Sequence, residues 1–266
     1  MIHPNPITAS TDTSSTNASD ADNLIKLKTQ IHELCTLYNI NYPINIIAVS
    51  KTVLASRVFE LYTKYSQTAF AENYVKELSS KVDELDKLLL TDTKSYNTES
   101  HLECGKNELE WHFIGNIQSN KIKEISQKSS WVQSLEKIKH AQLINTHRLT
   151  TQSKLNILIE VNISEESNKR GLQTLDEVIS LANVVKQLPN LQLRGLMGIA
   201  SNTADENIIF KQFSHLKSIY DELNASGYQL DTLSMGMSHD YHIAIQCGAN
   251  MLRIGSKIFG ERNYEI

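Results

Sequence analysis

The sequence predicts an α/β protein built as a single TIM (β/α)8 barrel with an extra helix at its N-terminus. Short, uninterrupted apolar runs alternate with amphipathic helical segments along the chain. Runs of this kind are typical of parallel strands that are buried on both faces of a sheet. Eight such strands, with helices between them, fit into about 245 residues, which matches the size of a TIM barrel. A doubly wound open sheet is the structural alternative.

The extra helix precedes the barrel. Residues 1–21 are rich in Ser, Thr, Asn and Asp, have little to bury, and are predicted to form a disordered tail. Asp22 is the predicted N-cap, and apolar residues then follow helical spacing to about Asn39. Pro43 ends the link to the first strand. The barrel domain is therefore expected to span 22–266.

The strand and helix units then follow in chain order. Each predicted strand is an apolar run that ends near a polar residue or a glycine, and each helix shows apolar residues three and four apart. A polar stretch at 91–107 without clear periodicity is interpreted as a surface insertion. The predicted strands are 45–50, 68–71, 110–114, 131–133, 156–161, 193–197, 232–235 and 251–254. The predicted helices are 55–65, 74–90, 118–126, 135–149, 175–187, 204–224 and 241–247.

The composition excludes several classes of function. Hydrophobic residues make up 40% of the chain and charged residues 21%, as in ordinary globular proteins. The formal net charge of −4 provides no basic surface for nucleic acid. No apolar run approaches the ~20 residues that cross a bilayer, and no secretory signal pattern opens the chain. The three cysteines lack metal-ligand spacing and are interpreted as reduced thiols of a cytoplasmic protein.

Lys51 is the first candidate functional residue. It follows the apolar strand at 45–50 and is expected at the carboxyl end of the barrel, where functional groups collect in this fold. Partial burial there would make its amine a nucleophile toward an aldehyde, which suits a cofactor held as an imine. The alternative interpretation is a surface lysine just past a strand.

Two glycine-containing stretches near the end of the chain predict an anion site. Leu-Ser-Met-Gly-Met-Ser occupies 233–238, and Met-Leu-Arg-Ile-Gly-Ser occupies 251–256. Each is an apolar strand that opens into a loop, and the backbone N–H groups of such a loop hold anions. Ser238, Gly255 and Ser256 are therefore expected to donate hydrogen bonds to a phosphate dianion. Neither a P-loop nor a dinucleotide-binding motif is present.

Several polar residues leave alternatives open. Arg253 lies within an apolar strand and needs a partner, because an unpaired buried charge is costly. A carboxylate in a salt bridge and an acceptor on a ligand are both consistent with the sequence. His112 is interpreted as a core residue in preference to a general base. His239 and His242 lack the further ligands that a zinc site requires.

These stretches together resemble the pyridoxal phosphate homeostasis protein family, also called the YggS or PROSC family. Members of that family look like the barrel domain of alanine racemase. The combination of segments is specific, although each segment alone is not. The segments are Ala-Val-Ser-Lys-Thr at 48–52, Glu-Asn-Tyr-Val-Lys-Glu at 72–77, Trp-His-Phe-Ile-Gly-Asn-Ile-Gln-Ser-Asn-Lys at 111–121, Ile-Glu-Val-Asn-Ile-Ser at 159–164, Arg-Gly-Leu-Met at 194–197, Leu-Ser-Met-Gly-Met-Ser at 233–238 and Arg-Ile-Gly-Ser-Lys-Ile-Phe-Gly at 253–260.

The resemblance implies a role for each matching residue. Lys51 would form the internal aldimine with pyridoxal 5′-phosphate (PLP). Ser238, Gly255 and Ser256 would hold the phosphate, and Arg253 would lie at the pyridine nitrogen. The residues that would line the ring pocket are Asn73, Met235, Gly236 and Met237.

The function implied by the resemblance is storage, buffering or delivery of PLP to apo-enzymes, without catalytic turnover. Only six residues follow Gly260, so the second, mainly β domain of alanine racemase has no counterpart in the sequence. One alternative is a PLP-dependent racemase-like enzyme that uses a local base such as His112 or a tyrosine. Another is a barrel that has lost its cofactor and acts through protein contacts. A single barrel without a swapped element is expected to be a monomer.

Overall fold

The computed structural model describes residues 19–95, 108–164, 166 and 169–261, and its strands form a closed barrel. The strands are β1 (Asn45–Val49), β2 (Ala69–Glu72), β3 (Glu110–Phe113), β4 (Trp131–Leu135), β5 (Leu155–Val161), β6 (Leu191–Gly198), β7 (Thr232–Ser234) and β8 (Met251–Ile254). Each strand pairs in parallel with the next one, and β8 pairs in parallel with β1. The predicted TIM barrel is confirmed, and the open-sheet alternative is wrong because the pairing of β8 with β1 leaves no sheet edge.

Helices follow the strands in alternation. They are α1 (Asp20–Leu37), α2 (Ala55–Tyr65), α3 (Val75–Ser95), α4 (Ile122–Lys128), α5 (Ile138–His147), α6 (Leu175–Gln187), α7 (Glu206–Ala225), α8 (Tyr241–Gln246) and α9 (Ser256–Phe259), with a 3-10 turn at Ser119–Lys121 before α4. The predicted ranges of α2, α6 and β8 are identical to those in the structure. Of the helices in the described part of the chain, none combines the length and apolar character required to cross a membrane.

Apolar side chains form two separate layers, one on each face of the sheet. The larger layer lies between the strands and the surrounding helices, and it contains alternate strand residues such as Ala48, Phe70 and Leu252. The smaller layer fills the barrel interior. Its buried members are Ile47, Val49, Ala69, Ala71, Trp131, Leu158, Met197 and Met251. The burial of both faces explains why the strands are continuous apolar runs in the sequence.

Helix α1 begins earlier than the sequence predicted. The Oγ atom of Ser19 accepts the N–H of Asp22, and the Asp22 carboxylate accepts the N–H of Ser19, which forms a capping box. The prediction of Asp22 as the N-cap was therefore wrong, because Asp22 occupies the third helical position. Residues 1–18 of the predicted tail lie outside the described residues.

Other boundaries also differ from the prediction, among them those of α3 and β4. The predicted insertion at 91–107 begins within α3, which continues to Ser95, and 96–107 lies outside the described residues. Strand β4 extends to Leu135, which was predicted to begin a helix. Leu135 is fully buried and pairs with Ile159 of β5, so sheet packing determines its conformation.

Candidate functional site

The predicted site residues follow four strands that are neighbours in the barrel. Strand β8 lies between β7 and β1, and β2 lies on the other side of β1. Near their carboxyl ends, Ala48 of β1 pairs with Ile254 of β8, and Val49 of β1 pairs with Ala71 of β2. Lys51, Asn73, Ser238 and Ser256 follow these strands in the chain, and Arg253 lies within β8. The closed barrel therefore brings the predicted groups to one sector of its carboxyl end.

Lys51 stands at the mouth of the barrel. Ile47 and Val49 of the same strand point into the barrel interior, and Lys51 comes two residues after Val49. Lys51 is neither buried nor fully exposed. This placement agrees with the expected position at a strand end and differs from that of a freely solvated surface lysine.

Arg253 lies in the barrel interior and is bonded to neutral acceptors. Its NH1 group donates to Oγ of Ser234 at 2.6 Å, and its NH2 group donates to the carbonyl oxygen of Gly198 at 2.9 Å. Burial lowers its pKa to about 10, while Asp240 and Glu160 raise it through longer-range attraction. The guanidinium is therefore protonated at neutral pH. Within the described residues the structure forms no salt bridge at Arg253, so the carboxylate-partner interpretation was wrong.

A chain of hydrogen bonds continues from Ser234 across the interior. Ser234 Oγ donates to Oε1 of Gln133 at 2.7 Å, and Nε2 of Gln133 lies 2.9 Å from Nδ1 of His112. Because an amide nitrogen only donates, Nδ1 is the acceptor and the His112 proton is on Nε2. Burial lowers the pKa of His112, whose ring stacks on Trp131 at 5.3 Å. These contacts support the interpretation of His112 as a core residue.

The loop after β7 contacts the helix after β8. Oγ of Ser238 accepts a hydrogen bond from the backbone N–H of Lys257 at 3.3 Å. Gly255 is the N-cap of α9, which begins at Ser256. The first N–H groups of a helix lack acceptors within the helix itself. The three residues predicted to hold a phosphate are therefore brought together by one contact between the loop after β7 and the start of α9.

Gly236 shapes the loop after β7. Its φ is +92°, and a Cβ atom at this position would lie 2.6 Å from Cβ of Ala244, so only glycine fits. The carbonyl oxygen of Gly236 accepts the N–H of Arg253 at 3.0 Å, which ties the loop to β8. Met235 is fully buried, whereas Met237 is 37% exposed. Of the two methionines predicted to line a ring pocket, Met237 is the accessible one.

Asn73 follows β2 and carries an unsatisfied acceptor. Its Oδ1 atom is buried and has no hydrogen-bond partner among the described residues. The backbone beside it is closely packed, because a Cβ atom on Gly115 would lie 1.8 Å from the carbonyl oxygen of Asn73. A buried acceptor without a partner is costly. A ligand that donates a hydrogen bond would satisfy it.

A buried polar network beside Lys51 was not identified from the sequence. Nζ of Lys81 lies 2.7 Å from Oε1 of Glu72, which also accepts the hydroxyl of Ser50 at 2.7 Å. Burial raises the pKa of Glu72 to about 7, although Lys81 and Ser50 lower it. The four-residue spacing of Glu77 and Lys81 on α3 could have indicated a helical ion pair. No local pattern indicates contacts between α3 and the ends of β1 and β2.

The histidines after β7 take no part in a metal-like cluster. Nε2 of His242 lies 3.3 Å from Oε1 of Glu206, and His239 is exposed. Over the described ranges, no group of three His, Cys, Asp or Glu side chains could hold a metal ion.

A cavity of about 710 Å³ lies at the opposite end of the barrel. Its lining includes Asn45, Ala69, Glu110 and Trp131, which are at the amino ends of their strands. In TIM barrels, active sites lie at the carboxyl face, and the amino face contributes mainly to stability. The cavity is therefore separate from the candidate site.

Comparisons with known sequences agree with the geometry. Residues 23–263 match the family model of the alanine racemase N-terminal domain. The pyridoxal phosphate homeostasis protein of Vibrio alginolyticus is 41% identical over 221 residues, which cover 83% of this chain and 88% of that protein. The protein of the same name from Haemophilus influenzae is 38% identical over 247 residues, which cover 91% and 95% of the two chains.

A solved structure shows the same fold. PipY of Synechococcus elongatus, with PLP bound, superposes with a TM-score of 0.73 at 26% sequence identity. The match covers 91% of this chain and 100% of PipY. The likeness therefore extends over the whole barrel.

Proposed function

The chain belongs to the pyridoxal phosphate homeostasis protein family and matches the alanine racemase N-terminal domain, and on this premise we propose that it binds PLP at the carboxyl end of its barrel. Lys51 holds the cofactor aldehyde as an imine. The protein stores PLP and delivers it to apo-enzymes, without catalytic turnover of its own. It acts as a monomer.

One observation carries this proposal. A lysine, a buried arginine and two loops suited to an anion lie on neighbouring strands at the same end of a closed barrel. PLP presents an aldehyde, a pyridine ring and a phosphate dianion, so it requires a nucleophile, a flat pocket and an anion site close together. When bound, the cofactor supplies the electrophilic aldehyde and an electron-accepting ring.

The residues of the site match those three requirements. Ser238, Gly255 and Ser256 suit the phosphate, because a hydroxyl and the start of a helix both offer hydrogen-bond donors. The unsatisfied Oδ1 atom of Asn73 suits a donor on the ligand. Met235, Gly236 and Met237 form the loop that would lie beside the ring. Arg253 is already held in place by two hydrogen bonds and would lie at the ring nitrogen.

Arg253 is compatible with a carrier that forms no carbanion. PLP accepts electrons best when its ring nitrogen is protonated, usually by a carboxylate partner. A cationic guanidinium disfavours that proton and so weakens the ring as an electron acceptor. Reversible imine formation at Lys51 does not depend on ring protonation. The site therefore suits a protein that holds the cofactor, but alanine racemase works with an arginine at the same position, so Arg253 alone does not separate the two functions.

The second candidate function is a PLP-dependent amino-acid racemase. The match to the alanine racemase N-terminal domain favours it. A racemase exchanges the Cα proton of its substrate with solvent, whereas a carrier does not. Incubation of the PLP-bound protein with Cα-deuterated amino acids separates the two functions, and loss of the deuteron would contradict the carrier and favour the enzyme.

The first test of the carrier is an absorbance spectrum of the protein with added PLP. We expect a visible band near ~420 nm from a protonated imine. Replacement of Lys51 with alanine should abolish the band, because it removes the amine that is proposed to form the imine. Borohydride reduction followed by peptide mapping should place the cofactor on Lys51.

Retention of the band in Lys51→Ala would contradict the assignment of the lysine. The matched control is Lys76→Ala, which removes an exposed lysine of α3 and should leave the spectrum unchanged. A wild-type protein that stays colourless with added PLP would overturn the imine.

A further inference from the structure

We propose that Glu77 and Lys81 of α3 are positioning residues that hold the backbone on both sides of Lys51. This inference rests on the proposed function of Lys51. It assigns to α3 the task of presenting the amine to the cofactor aldehyde.

Lys51 occupies the second position of a tight turn. The carbonyl oxygen of Ser50 accepts the N–H of Val53 at 2.9 Å, which closes the four-residue turn. Thr52, in the third position, has a φ of +64°, in the left-handed region that residues other than glycine rarely adopt. Such a conformation persists only where surrounding contacts hold it.

Helix α3 supplies those contacts on both sides of Lys51. Nζ of Lys81 donates to the carbonyl oxygen of Ser50 at 2.6 Å. Oε2 of Glu77 accepts the N–H of Thr52 at 2.7 Å. Glu77 and Lys81 are four residues apart on the helix and lie 3.3 Å from each other. The two peptide units that flank the Cα atom of Lys51 are therefore held by one ion pair.

The ion pair is itself held in place. The Lys81 side chain is only 8% exposed, and its ammonium also contacts Oε1 of Glu72 at 2.7 Å. Burial opposes ionisation of Glu77, but the N–H of Thr52 and the ammonium of Lys81 keep its pKa below the usual range. An ionised Glu77 accepts a stronger hydrogen bond from Thr52 than a neutral group would.

Fixing these peptide units restricts the direction in which the Lys51 side chain leaves the backbone. In imine formation, the Lys51 nitrogen bonds to the aldehyde carbon, and the aldehyde oxygen leaves as water with two hydrogens from the amine. The step requires the amine to approach the carbonyl carbon along a narrow path. Preorganisation of the backbone therefore accelerates this step without contributing a contact to the cofactor.

The test separates imine formation from non-covalent binding. PLP reports both, and pyridoxine 5′-phosphate reports binding alone, because a hydroxymethyl group replaces its aldehyde. We expect Lys81→Met and Glu77→Leu each to slow the appearance of the ~420 nm band and to weaken PLP binding by about tenfold. The dissociation constant of pyridoxine 5′-phosphate should be unchanged in both variants.

Two controls define the comparison. Lys217→Met removes a matched four-residue ion pair with Asp221 on the surface of α7 and should behave as wild type. Glu77→Gln keeps an oxygen that accepts the Thr52 N–H and should recover most of the wild-type rate. Glu77 is 30% exposed, so its variants are expected to fold. They test the positioning role if Lys81→Met does not fold.

Three outcomes would overturn the inference. Wild-type imine formation in Lys81→Met and Glu77→Leu would show that α3 does not position Lys51. An equal loss of affinity for PLP and pyridoxine 5′-phosphate would show that the ion pair has only a structural role. A wild-type protein that binds both ligands without the visible band would overturn the proposed imine itself. The variants alone test only the positioning role.

Discussion

Glu72 is a carboxyl group whose burial links the stability of the fold to pH. It has 0% exposure, and its Oε1 atom contacts both Lys81 and Ser50. Its Oε2 atom is buried and has no hydrogen-bond partner among the described residues. Burial therefore outweighs the attraction of Lys81 and raises the pKa of Glu72 to about 7.

We expect the free energy of unfolding to fall more steeply with pH in the wild type than in Glu72→Gln. In the unfolded chain Glu72 ionises at its ordinary pKa of 4.5, whereas in the fold it keeps its proton to about 7. The folded state binds the extra proton between these values, so the contribution is full below 4.5 and is lost as the pH rises through 7. Across this pH range, the free energy of unfolding should fall by roughly 1–3 kcal/mol more in the wild type than in Glu72→Gln.

Urea unfolding of both proteins at about pH 5 and about pH 7.5 measures this difference. The Glu72→Gln variant provides the reference, because its amide does not titrate. Parallel pH profiles for the two proteins would show that Glu72 is ionised in the fold.

At the scale of elements, β6 and β7 pack tightly where β6 has a glycine. Gly195 pairs with Thr232, and a Cβ atom on Gly195 would lie 1.7 Å from the carbonyl oxygen of Thr232. The register between β5 and β6 shifts beside this point, between Ile157 and Leu158. The close approach therefore helps to close the barrel and is incompatible with any side chain.

We expect Gly195→Ala to destabilise the barrel by about 3 kcal/mol or more, because the methyl group would displace the backbone of β7. Thermal unfolding monitored by circular dichroism measures the effect. The control is Gly227→Ala, where a Cβ atom meets nothing within 4 Å and only the φ of +85° is unfavourable. That change should cost about 1 kcal/mol. A smaller effect at Gly195 than at Gly227 would contradict the packing explanation.

At the scale of the whole molecule, α1 joins the start of the described chain to the end of the barrel. Nε of Arg57 on α2 donates to Asp20 at 2.7 Å, and its NH2 group donates to the carbonyl oxygen of Phe259 at 3.0 Å. Nδ2 of Asn23 donates to the carbonyl oxygen of Ile258 at 3.0 Å. Helices α1, α2 and α9 therefore meet next to Ser256.

We expect Arg57→Ala to loosen α1 and α9 while the rest of the barrel remains folded. The loss should be about 1 kcal/mol, because the Arg57 side chain is partly exposed. Hydrogen–deuterium exchange should show faster exchange in both helices, and phosphate binding near Ser256 should weaken. The control is Lys64→Ala, which removes an exposed ion pair from α2, the helix that also contains Arg57. Unchanged exchange in α1 would show that apolar packing alone holds it.

Many residues of the candidate site could be predicted from the sequence because they lie at strand ends. Lys51, Ser238 and Ser256 follow apolar runs, and the fold class then places those ends together. The positions of Glu77 and Lys81 against Lys51 could not be predicted in the same way. Their importance comes from backbone contacts to another element, for which a single sequence has no local signal.

By itself, the sequence determined the order of strands and helices, the barrel class and the residues at the carboxyl ends of the strands. Local periodicity reflects which faces of each element are buried, so it can be read from residues close together in the chain. Only the tertiary structure decided the partners of Arg253, the contact of α3 with the Lys51 turn and the packing at Gly195. The hydrogen bond from Ser234 to Gln133 joins residues 101 positions apart. The physical reason is that such contacts depend on how the barrel closes, which no local pattern specifies.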